Sequence, residues 1–97
     1  MKPKTGRAEK RFAIAVPVRI ASLDRLSLVE PAMTENVSLL GARILVKNLW
    51  RNNERAVVES PGGVDPCQAH IVYCQTLKSG AVAIGVRLRR PRTDWTK

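Results

Sequence analysis

From Ala81 to Leu88 the chain alternates without a break: Val82, Ile84, Val86 and Leu88 fall on one side, Ala81, Ala83, Gly85 and Arg87 on the other. A period of two marks a strand with one buried face, because successive side chains of an extended backbone point to opposite sides. The pattern recurs upstream. Ile14, Val16, Val18 and Ile20 alternate with Ala13, Ala15, Pro17 and Arg19, and Ala42, Ile44 and Val46 with Arg43, Leu45 and Lys47. Arg55 to Ser60 reads as a β-branched strand; in Cys67 to Gln75, Ala69, Ile71 and Tyr73 are expected on one face and Gln68, His70, Val72 and Cys74 on the other. Turn residues punctuate these runs: Asn48, Asn52 and Asn53, then Pro61-Gly62-Gly63, then Lys78-Ser79-Gly80. Ser22 to Met33 fits either a short strand or a helical turn. Five or six short strands without a long amphipathic helix predict a small antiparallel barrel or sandwich, and closure would remove edges that invite aggregation. Pro17, on the outward set and lacking a donor, predicts an edge position or a bulge.

A chain of 97 residues allows a single domain with a genuine core. Its net charge of +9 is unevenly spread. Lys2, Lys4, Arg7, Lys10 and Arg11 face only Glu9 at one end, and Arg87, Arg89, Arg90, Arg92 and Lys97 face only Asp94 at the other. The body between is nearly neutral, so the cationic character sits in two arms rather than over a nucleic-acid-coating surface. Residues 1–11, polar and without periodicity, are expected to be a mobile basic arm, 12–89 the barrel, and 90–97 a tail with little or no helix. Trp50, an aromatic in a loop, is expected to lid one end of the core, and Trp95 to dock at a place the pattern does not specify.

Several function classes lose support. No apolar run of about 18 residues is present, and Pro17 and Arg19 interrupt the one apolar stretch near the start, so neither membrane insertion nor a secretory leader is expected and the cytoplasm is the default. Cys67 and Cys74 lie an odd number of residues apart, which places them on opposite faces unless a bulge intervenes, so no disulfide is expected. With a single histidine, His70, no zinc set, other metal site or cofactor is expected. No nucleophile elbow, phosphate loop or base with a partner is visible, so the chain reads as a binder and not an enzyme.

Two clusters suit that role. Arg7 and Arg11, four apart before the first strand, can form forked hydrogen bonds to phosphate and stack on bases. Asn36, Ser38 and Gly41 follow an Asn-x-Ser-x-x-Gly spacing, a turn in which amide and hydroxyl cap backbone groups and glycine takes a conformation that a Cβ resists.

An Arg-x-x-x-Arg pair followed by this turn resembles the PilZ domains, bacterial receptors for cyclic di-GMP. Arg11-Phe12 leading to Pro17-Val18-Arg19-Ile20, Gly41-Ala42-Arg43-Ile44 and Ala83-Ile84-Gly85-Val86-Arg87-Leu88 add to the likeness, which runs from about Arg7 to Leu88. The resemblance implies an all-β, six-stranded antiparallel barrel of split-barrel type whose N-terminal arm folds over the ligand. Arg7 and Arg11 would then meet phosphates and guanine faces, Asn36 and Ser38 a guanine edge or phosphate, and Gly41 would keep the turn open. Asn36 stands where many members carry Asp, and ligand affinity is expected to hinge on Asn36 and Leu40. A ligand-ordered arm would present a new surface to an unidentified downstream protein. The alternatives are a PilZ-like interaction module that does not take the nucleotide and, with few aromatics to stack on bases, a basic nucleic-acid binder.

Overall fold

The structure is a computed structural model, and it describes residues 10–60, 66–92 and 95. Of the expected arm, only Lys10 and Arg11 fall among these residues, and Arg7 lies outside them. Six strands form: β1 (Pro17–Ser22), β2 (Val29–Val37), β3 (Gly41–Val46), β4 (Arg55–Glu59), β5 (Cys67–Thr76) and β6 (Val82–Leu88). They close into an antiparallel barrel in the order β1-β2-β3-β6-β5-β4, with β4 pairing back on β1. The expected all-β barrel is therefore the architecture, and closure pairs every strand on both sides. No helix among the described residues is long and apolar enough to cross a membrane.

The period-two runs meet in the centre. Val18 and Ile20, Ile44 and Val46, Val58, Ile71, and Val82 through Leu88 at alternate positions are all buried in one cluster. Pro17 pairs with Met33 of β2, whereas pairing with β4 begins only at Arg19, so the proline occupies a one-sided stretch where its missing N–H costs nothing. Trp50 does close one end. It is 3% exposed, and its indole N–H donates to Glu30 Oε2 at 3.1 Å.

β2 is the strand that periodicity leaves undecided, because its inward positions are Glu30, Ala32 and Thr34 instead of large apolar residues. Each polar member does local work. Glu30 accepts from the backbone N–H groups of Lys47 and Asn48 and the side chains of Asn48 and Trp50, ordering the β3–β4 loop. Burial pushes its carboxyl up, but these donors outweigh burial and hold it below its ordinary value. Beyond the same end of the barrel, the buried carboxylate of Glu54 accepts from Arg25, Ser22 and the Arg51 N–H.

Two bulges reset the faces. Between Thr34 and Asn36 the β2–β3 register shifts, so Val37 points inward after Thr34 and Asn36 is freed to the outside. In β5 the register shifts between Ile71 and Tyr73. This corrects the expected faces of that strand: Tyr73 turns outward, and Cys74 packs against the core on the same side as Cys67. Both cysteines are free.

Candidate functional site

Upstream of β1 the chain continues alongside β2, though not as a regular ladder. Phe12 exchanges both backbone hydrogen bonds with Val37, at 2.8 and 2.9 Å. Between that pair and Pro17–Met33 the register slips by one residue, and Thr34 fills the gap: its hydroxyl accepts from Val16 N and donates to Ile14 O, both at 2.7 Å. This strap carries Arg11 to the far end of β2. There Arg11 Nη1 donates to Asn36 Oδ1 at 2.8 Å across 25 residues of sequence. Because arginine has only donors, the amide oxygen of Asn36 must face it, which leaves the Asn36 NH₂ to donate elsewhere.

Asn36 is the penultimate residue of β2, and the reversal into β3 is confined to Ser38, Leu39 and Leu40; the expected turn from Glu35 is thus strand for its first three residues. Ser38 is buried, with its hydroxyl on Gly41 O at 3.2 Å and its backbone N–H on the same oxygen at 2.8 Å. Gly41 serves a different purpose from the one its turn position suggests. It has no positive φ, and a Cβ there would stand 2.7 Å from the backbone oxygen of Val86, so glycine allows β6 to approach β3 closely.

The turn is held from behind by the end of the chain. The carbonyl oxygens of Ser38, Leu39 and Leu40 accept from Trp95 Nε1, Arg92 N and Leu88 N, each at 2.8 Å. Trp95 is buried, and the Arg92 guanidinium lies 4.9 Å from its ring centroid. The docking place of Trp95, open at the level of pattern, is therefore the back of the Asn-x-Ser-x-x-Gly turn.

On the outer face a row of register partners crosses four strands: Asn36 of β2, Arg43 of β3, Gly85 of β6 and Tyr73 of β5. Arg43 Nε donates to Glu35 Oε1 at 2.6 Å, and its Nη1 donates to the Tyr73 hydroxyl at 3.0 Å and Gln75 Oε1 at 3.2 Å. Hydrogen bonds to Tyr73 and then Glu35 raise the Arg43 pKa further. Sequence reasoning passed over Arg43 and Tyr73, since only the bulge in β5 brings Tyr73 to this face. The site thus joins Arg11, Asn36 and an anchored cationic and aromatic patch. It offers donors, a positive charge and a flat surface, a set suited to phosphates and planar bases. Among the described residues no cluster of His, Cys, Asp or Glu is arranged to hold a metal.

The PilZ domain family model matches residues 5–94 of the chain. Among solved structures the fold is similar to that of the Bacillus subtilis inhibitor of motility (MotI/DgrA), with a TM-score of 0.69 at 14% sequence identity. That match covers 96% of this chain and 47% of the other, so the chain spans about half the length of that protein, and at this identity the likeness concerns fold alone. No curated protein matches the sequence.

Proposed function

The chain belongs to the PilZ domain family, and on that footing we propose that it is a cytoplasmic receptor for cyclic di-GMP. The reading rests above all on one observation: the guanidinium of Arg11 meets the amide of Asn36, so one member of each polar cluster comes to the same place on the barrel wall. Cyclic di-GMP carries two phosphates and two guanines, and therefore calls for cations, donors and acceptors together. Arg11 would exchange the Asn36 oxygen for a phosphate, Asn36 would be freed toward a guanine edge, and Arg7 would join from the arm. Ser38 and Gly41 would act by shaping the turn that presents Asn36. Ordering of the arm would alter the surface offered to a partner protein, a binding role without a catalytic step. The free thiols of Cys67 and Cys74 suit a reducing compartment.

Calorimetric titration with cyclic di-GMP tests the reading. Saturable binding is expected, weakened more than tenfold in Arg7→Ala or Arg11→Ala, as loss of charge-assisted hydrogen bonds worth about 1.5–3 kcal/mol implies. An absence of heat at high ligand concentration sinks it.

One feature favours the second reading, an interaction module that does not take the nucleotide: the Ser38 hydroxyl is buried and bonded to Gly41 O, so it is not offered to a ligand. Partner capture that survives alanine at Arg7, Arg11, Asn36 and Ser38 would favour that module.

A further inference from the structure

Tyr73 is the only tyrosine in the chain, and it is held in an unusual way for a surface aromatic. Its register partner is Gly85, and any Cβ at Gly85 would collide with the ring. The nearest ring atom would be Cε2, with its two neighbours Cδ2 and Cζ equally placed at 2.6 Å. Neighbours that close correspond to an approach through the ring face, since an in-plane approach to Cε2 would leave both farther away, so the ring lies flat on the barrel wall over the glycine. Arg43 pins its hydroxyl from one end, and the guanidinium carbon stands 5.7 Å from the ring centroid. The guanidinium thus holds the ring both at its hydroxyl and through a cation–π contact. The residue remains 37% exposed, so the outward face of the ring meets solvent.

We propose that the Tyr73 ring, with the Arg43 guanidinium beside it, is a stacking platform for a purine base of the ligand held at Arg11 and Asn36. The inference rests on the receptor reading and adds to it a contact that neither polar cluster contains. Distance sets which ligands can use it. Measured to its ring, which lies over Gly85, Tyr73 is two strand spacings from Asn36, roughly 10 Å along the wall at about 4.8 Å per step. A mononucleotide whose one base is held at Asn36 does not also lay a base on the Tyr73 ring. A ligand with two purines on a common sugar-phosphate ring does, with Arg43 between the ends to meet phosphate or the edge of a base. The platform thereby selects for a dinucleotide. Stacking on an aromatic tolerates either purine, so discrimination of guanine stays with Asn36.

The test uses the full chain and cyclic di-GMP. Being the sole tyrosine, Tyr73 gives ring-proton NMR signals that need no assignment among rivals. Upfield shifts of those signals at saturating ligand are expected, because a base stacked on the ring shields them. By calorimetry, Tyr73→Leu should bind roughly 5- to 100-fold more weakly, the range that loss of one base-aromatic stack implies. Tyr73→Phe, which keeps the ring and loses the hydroxyl, should stay within about threefold of wild type, a rescue that a purely hydrogen-bonding role would not give. Wild-type binding that Arg11→Ala weakens while Tyr73→Leu leaves it within twofold, with tyrosine signals unmoved, overturns the platform alone. Failure of the wild-type chain to bind overturns the receptor reading and the platform together.

Discussion

Thr34→Val is the perturbation that most directly separates the barrel from its site. Valine matches threonine in shape but removes the hydroxyl that accepts from Val16 N and donates to Ile14 O. Each bond contributes about 1 kcal/mol net, and stranding the Val16 N–H adds a penalty toward the low end of about 1–3 kcal/mol, since Val16 is only partly buried. The sum is a loss of about 3 kcal/mol, or on the order of 12–24 °C in Tm for a domain of this size. The loss is bounded by what the strap itself contributes, because residues 12–16 can detach while the six strands stay paired. Two measurements distinguish these routes. Chemical denaturation reads the global loss, and amide hydrogen exchange reads the Phe12 and Val37 N–H groups, which should lose protection before those of β3 and β6. Ligand affinity should fall as well, since Arg11 reaches Asn36 only by way of the strap. A Thr34→Val protein with wild-type denaturation midpoint and undiminished protection at Phe12 and Val37 would show that the hydroxyl is not what fastens the strap, and the account of how Arg11 is positioned would fail.

The Glu54 carboxyl is held down to about 2, first by its hydrogen bonds from Arg25 and then, against burial, by Ser22 and the Arg51 N–H. A depressed carboxylate stabilises the fold fully above its unfolded value of about 4.5 and loses that contribution as pH falls toward 2. Thermal midpoints should therefore decline through this acid window in the wild type; Glu54→Gln should start lower at neutral pH and show a shallower decline, and parallel curves would refute the assignment. Gly41→Ala places a methyl 2.7 Å from the Val86 backbone oxygen, which cannot swing aside as a side chain can. Forcing β3 from β6 should cost about 1–3 kcal/mol in a denaturation experiment; an unchanged midpoint would show that the wall yields freely there.

The strands that were legible from the residues alone are those whose inward positions are large and apolar, such as Val82, Ile84, Val86 and Leu88. Burial acts on every second residue of such a strand and leaves its period in the composition. β2 was not legible in this way because Glu30 and Thr34 occupy its inward positions, and their value depends on partners at Lys47, Asn48, Trp50, Ile14 and Val16 that only the folded chain supplies. Alternation puts Tyr73 on the face of Ala69 and Ile71, and the structure turns it outward for a related reason. Strict alternation holds until a residue is left unpaired, and nothing in Ile71-Val72-Tyr73 itself announces the bulge.

The sequence by itself determined that this chain would be a small antiparallel barrel or sandwich of short strands, because hydrophobic burial is read locally from alternation and turn residues. It also determined which polar residues stand together in two clusters, Arg7 with Arg11 and Asn36 with Ser38 and Gly41. Tertiary structure alone decided that Arg11 meets Asn36, that Trp95 and Arg92 brace the turn from behind, and that Arg43 and Tyr73 extend the site across the wall. Those contacts depend on register, and register is set by two bulges and a strap, where one residue more or less turns a side chain from the core to the outer face.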